Sequence, residues 1–83
     1  MATTQAEIEK ELLSMLEKFV DPATQLTADS DFSSDLALES IQLMEFMVDI
    51  EDHYDIAVDL DSLSRIKTIN ELAAVVTNLV NES

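Results

Sequence analysis

Apolar residues recur at Ile8, Leu12, Met15, Leu16, Phe19 and Val20. Spacings of three and four place them on one side of a helix. Ahead of them, Thr4-Gln-Ala-Glu7 has the spacing of a capping box, in which a hydroxyl and a carboxylate satisfy the first free N–H groups. Asp21-Pro22 ends this segment, because proline disfavours helical backbone in the residue before it. Residues 21–39 then show no period. They are rich in Asp, Ser and Thr, with Leu26, Phe32, Leu36 and Leu38 as scattered core anchors. A connection this long is unusual in a compact domain and is often functional.

Periodicity returns over residues 40–54 and predicts a second helix. Leu43, Phe46, Met47, Ile50 and Tyr54 share one side, the i, i+3, i+4, i+7, i+11 pattern of a buried stripe. Asp55 to Leu60 reads as extended, and Asp61 to Arg65 as a short helix. Thr68-Ile-Asn-Glu71 is a second capping box. It opens a last helix with Ile69, Leu72, Ala73, Val76, Leu79 and Val80 as its buried side. The fold expected is all-α: a four-helix bundle with a long loop between its first and second helices and a short third helix.

The second helix carries an excess of apolar residues. Ile41, Met44 and Val48 fall roughly opposite the buried stripe. A helix in so small a bundle should not bury both faces. Either the extra strip packs beneath the long loop or it is an exposed docking surface. Glu45 and Asp52 share its side, which suits a partner with an apolar groove and a basic rim. Methionine adds adaptability to several partners. The residues alone leave both readings open.

Composition narrows the picture. The chain has 83 residues, the size of one domain, and 47% of them are hydrophobic. It has no Gly and one Pro, which argues against hairpin-rich β structure. The formal net charge is −14. The only basic residues are Lys10, Lys18, Arg65 and Lys67, so Phe19 to Ser64 has none. Such a surface disfavours nucleic acid and anionic membranes, and favours partners with basic patches. The plainer alternative is that acidity keeps a small protein in solution. No apolar run approaches the ~20 residues of a membrane span. The acidic, amphipathic start does not resemble a signal peptide. A soluble, cytoplasmic monomer is expected.

Catalytic chemistry finds little to work with. There is no cysteine, and the single histidine, His53, lies 13 residues after Ser40, about 20 Å along a continuous helix. His53 therefore reads as a surface residue and not as a base for Ser40. A helix–loop–helix calcium loop needs a central Gly, which the chain lacks. Weak divalent binding at Asp49, Glu51, Asp52 and Asp55 stays open, but no metal site is predicted. No catalytic residue is predicted either, and the chain alone is not expected to be an enzyme.

The segment Asp35-Leu-Ala-Leu-Glu39-Ser40-Ile41 resembles the attachment motif of acyl and peptidyl carrier proteins. The usual form is Asp-Leu-Gly, a variable residue, then Asp-Ser-Leu or Asp-Ser-Ile. The likeness continues through Glu45 to Tyr54-Asp55-Ile56, and to Lys67-Thr-Ile-Asn-Glu-Leu72 at the start of the last helix. It covers most of the chain. Two residues depart from the pattern: Glu39 stands for Asp, and Ala37 for Gly. Glu keeps the charge, and Ala is accommodated where φ is negative. Gln42 is neutral where many fatty-acid carriers are acidic.

The resemblance implies that a phosphopantetheinyl transferase, using Mg²⁺ and coenzyme A, joins the Ser40 hydroxyl to 4′-phosphopantetheine. The thiol at the end of that arm would carry acyl intermediates as thioesters between loading, condensing and modifying enzymes of fatty-acid or polyketide-type biosynthesis. Glu39, Ile41, Met44, Glu45, Val48 and Asp52 would be the docking residues for those enzymes' basic patches. In some members the core also shelters the acyl chain. One alternative is an aminoacyl, peptidyl or aryl carrier of a nonribosomal peptide pathway. The other is an acidic helical adapter that is never modified. For a Ser40 taken alone, the structural reading is a helix cap.

Overall fold

The computed structural model describes residues 3–21 and 23–82; the helix stop expected at Pro22 lies outside them. Four α-helices follow in order: α1 (Gln5–Leu16), α2 (Ser40–Tyr54), α3 (Leu60–Arg65) and α4 (Ile69–Glu82). The all-α bundle read from the sequence is the fold. A 3₁₀ turn, Glu17–Phe19, continues α1 before the backbone becomes extended at Val20.

Local chemistry sets the helix ends. Thr4 caps α1, its Oγ1 accepting the Glu7 N–H at 3.3 Å. At α4, Thr68 Oγ1 accepts the Glu71 N–H at 3.2 Å, while the Glu71 carboxylate reaches back to the Lys67 N–H at 3.1 Å. The short helix α3 begins at Leu60, one residue before the sequence expectation, because Asp59 caps it through the Ser62 N–H at 2.6 Å. That bond holds the Asp59 carboxyl below the usual carboxylate range. α2 ends with Asp55 in the left-handed region at φ 55°, which Asp tolerates. The N–H groups of Asp55 and Ile56 both donate to the Glu51 carbonyl.

The core gathers one stripe from each long helix. Ile8, Leu12 and Leu16 of α1, Phe46, Met47 and Ile50 of α2, and Ile69, Leu72, Ala73 and Val76 of α4 are buried. Phe46 lies at the centre. The rings of Phe19 and Phe32 meet it edge-on, with centroids 5.9 and 6.2 Å away.

The long loop is tied down at its far end. The Phe32 N–H donates to the Lys67 carbonyl at 2.9 Å, and the Asn70 N–H to the Ala28 carbonyl at 2.8 Å. Asp31 and Thr68 form an isolated antiparallel bridge between them. Within the loop, Asp31 Oδ1 accepts the N–H groups of Ser33 and Ser34, which hold its carboxyl below the usual range. Phe32 and Leu36 are buried, and Leu26 and Leu38 pack half-buried against the core.

Ala37 departs from expectation. Its φ is +52°, not negative. The turn there brings the Leu38 N–H back to the Phe32 carbonyl at 2.9 Å, with Leu36 and Leu38 on either side of it packed on the core. A Cβ in this region costs about 1–2 kcal/mol. Ala37→Gly should therefore stabilise the fold by about 1 kcal/mol, after allowing for the freer unfolded chain. In a thermal melt this reads as a rise of about 4–8 °C. An unchanged or lower midpoint would show that Ala37 bears no strain.

Candidate functional site

Ser40 is the first residue of α2, not its cap. The capping position belongs to Glu39, whose N–H donates to Gln42 Oε1 at 3.0 Å in capping-box fashion. The cap reading of Ser40 is thereby set aside. Both Glu39 and Ser40 are exposed. The first turn of α2 carries no acidic residue of its own, and the carboxylate of the capping Glu39 stands at the positive end of the helix dipole. An anion attached at Ser40 would meet that end and the helix's first N–H groups, which lack intrahelical partners.

The apolar strip runs away from Ser40 along the outside of α2. Ile41, Met44 and Val48 are 63%, 55% and 53% exposed. The strip is therefore surface, and does not pack beneath the loop. Glu45 and Asp52 are exposed beside it. Of the residues singled out in the sequence, Glu39, Ser40, Ile41, Met44, Glu45, Val48 and Asp52 are thus brought to one end and one outer face of a single helix.

The strip forms a ridge between two depressions. On the α3 side, Met44 and Val48 join Met47, Glu51, Val58 and Leu63 in a narrow seam. The Glu51 carboxylate bridges the base of that seam by accepting the Val58 N–H at 2.9 Å. On the other side, Ile41, Met44 and Val48 face Phe19 and Lys18 of the 3₁₀ turn across an open groove. Lys18 forms an ion pair with Asp49 of α2, and its ammonium stands 5.2 Å from the centroid of the Phe19 ring. Sequence reasoning missed this second wall. A three-residue 3₁₀ turn has no periodic signature, and Lys18 was legible only as one of four basic residues.

His53 is remote from Ser40, at the opposite end of α2. It is about half exposed and pairs with Glu11 of α1, Nε2 to Oε1 at 3.3 Å. The carboxylates considered for divalent binding do not converge: Asp49 pairs with Lys18, and Glu51 takes the Val58 N–H. Among the described residues, no group of three metal-ligating side chains comes together. Nor, among them, is any helix long and apolar enough to cross a membrane.

Residues 10–76 match the sequence profile described as the phosphopantetheine attachment site. An acyl carrier protein of Rhodococcus erythropolis is 32% identical, the alignment covering 99% of this chain and 91% of that one. A meromycolate extension acyl carrier protein of Mycolicibacterium smegmatis is 28% identical over 100% of this chain and 85% of its own. A solved Toxoplasma mitochondrial acyl carrier protein shares the fold, with a TM-score of 0.85 at 20% identity over 95% of this chain and 93% of that one.

Proposed function

The chain belongs to the phosphopantetheine-attachment family of acyl carrier proteins, and from that premise we propose that Ser40 is its acceptor for 4′-phosphopantetheine. The observation that carries this reading is an exposed serine at the first position of a helix whose outer face is an uncovered apolar strip. The family is one of carriers, and the chemistry expected of this chain is acceptance and presentation. Ser40 has no local base, so the transferase must deprotonate its hydroxyl. The new phosphodiester would lie at the positive end of α2. When bound, the arm supplies the thiol that this cysteine-free chain lacks.

The 83 residues act as one domain and as a monomer, in the cytoplasm. The cargo is an acyl group of fatty-acid or polyketide-type biosynthesis. The partners are the transferase and the enzymes that load, extend and modify the acyl group. They dock on Ile41, Met44 and Val48 with apolar side chains, and on Glu39, Glu45 and Asp52 with basic ones.

Intact mass after incubation with coenzyme A, Mg²⁺ and a promiscuous transferase tests the assignment. A gain of one phosphopantetheine unit in the wild type is expected. No gain in folded apo protein, with a known carrier modified in parallel, would leave the unmodified adapter as the better reading.

Docking is tested separately. Met44→Ala should raise the KM of a partner enzyme about 5- to 10-fold, the range of a moderate interface contact. The melting temperature should stay within about 2 °C, since Met44 is more than half exposed. A large thermal loss would place Met44 in the core.

A further inference from the structure

Glu45, Asp49 and Asp52 follow one another at i, i+4 and i+7 along α2, so they form a row on one side of the helix. The outer two are about 10 Å apart along the axis. Asp49, in the middle, is held by Lys18 from the neighbouring 3₁₀ turn. The row is therefore presented as two charges separated by a neutralised position. Lys18 is the only basic residue lining the groove beside the apolar strip, in a chain with 18 acidic and four basic residues. Its side chain is 62% exposed and that of Asp49 36%, so the pair lies at the surface and is not a buried core bridge. A surface pair of this kind adds little to stability.

We propose that Lys18 is a specificity-determining residue: by masking Asp49 it makes α2 select partners whose two basic side chains are spaced to meet Glu45 and Asp52 around an apolar contact with Met44. This rests on the reading of α2 as the docking helix for enzymes acting at Ser40. The partner's chemistry follows from charge complementarity. A basic group aimed at the middle of the row meets the Lys18 ammonium and is repelled. Basic groups aimed at the two ends meet free carboxylates. Removing the Lys18 charge would turn the row into three contiguous carboxylates and relax that discrimination.

The experiment measures KM and kcat of a promiscuous phosphopantetheinyl transferase, one with a broad basic docking patch, for four apo proteins: wild type, Lys18→Met, Lys10→Met and Lys18→Met/Asp49→Asn. Methionine keeps an apolar stem over Phe19. Lys10→Met changes the net charge equally, at an exposed α1 position that lines a different surface beside Leu13. The expected result is a KM about threefold lower for Lys18→Met than for Lys10→Met at low salt, the scale of one exposed charge contact. The two kcat values should be alike. The KM difference should vanish near 1 M salt, where the Debye length is ~3 Å. Adding Asp49→Asn should return KM to the wild-type value.

Equal KM values for the two single variants would overturn the masking role and leave Lys18 a structural tie, while wild-type modification at Ser40 would still stand. A higher KM for Lys18→Met would also overturn it, since Lys18 would then be an attractive contact. Failure of the wild type to be modified at all would overturn the docking reading and this inference with it.

Discussion

Ser40→Ala should abolish acceptance of phosphopantetheine completely while leaving the fold intact. Both halves of that outcome follow from one geometric fact: Ser40 is the first helical residue, and Glu39 occupies the capping position before it. A serine that capped α2 would cost about 1 kcal/mol to replace, which would confuse lost chemistry with lost structure. Here the capping bond runs between the Glu39 N–H and Gln42, and it survives the substitution. Alanine is also the better helix former. The melting temperature should stay within about 2 °C of wild type or rise slightly. The intact mass after incubation with transferase and coenzyme A should not change. Modification persisting in Ser40→Ala would move the attachment point to another hydroxyl; Ser33 and Ser34 are the nearest in the loop. A substantial loss of stability would mean that Ser40 contributes to the cap after all.

Phe46→Ala should remove a large part of the protein's stability and lower its unfolding midpoint steeply. Phe46 is fully buried, and its ring receives the edges of Phe19 and Phe32. Truncating a buried phenylalanine costs about 3–5 kcal/mol, through lost transfer free energy and the cavity left behind. A chain of this length holds only about 4–12 kcal/mol in total at typical stability per residue. The substitution therefore consumes a large part of the margin. It also releases the 3₁₀ turn through Phe19 and the long loop through Phe32. Circular dichroism during urea titration should show a midpoint far below wild type. Phe46→Leu should recover much of the loss, because it restores volume without the ring contacts. A wild-type-like midpoint for Phe46→Ala would show that the neighbouring side chains collapse into the space.

What the sequence disclosed and what it withheld have physical reasons. The boundaries of α2 were legible because its stripe is long and strongly periodic and Glu39-Ser40 follows an aperiodic stretch. Ile8, Leu12 and Leu16 were legible as core for the same reason. The fate of Ile41, Met44 and Val48 was not. Periodicity gives the angle at which a side chain leaves a helix, but not whether another element covers that side. The φ of Ala37 was equally hidden, because it accompanies the return of the Leu38 N–H to the Phe32 carbonyl, a bond that no periodic pattern announces. Lys18 illustrates a third limit. Its partner Asp49 is 31 positions away, and no local rule connects them. The serine itself was conspicuous only as part of a motif, since an exposed hydroxyl at a helix start carries no chemical signature of its own.

The ties between the long loop and the approach to α4 bear on the order in which the molecule assembles. Ala28 is bonded to Asn70, and Phe32 to Lys67, so each bond closes a stretch of some forty residues. The helices draw on local contacts and form on about the microsecond scale, but these closures must first overcome the entropy of a long flexible chain. The turn that leads into α2 is closed by local bonds to the Asp31 and Phe32 carbonyls, and those two residues are anchored to Thr68 and Lys67 by the long-range closures. A ribosome-bound chain that has emerged only as far as α2 therefore has its serine but not its serine's surroundings. The proposed attachment segment gains its anchors when the first turn of α4 arrives, and the amides of Phe32 and Asn70 should be among the last to gain protection from hydrogen exchange during refolding.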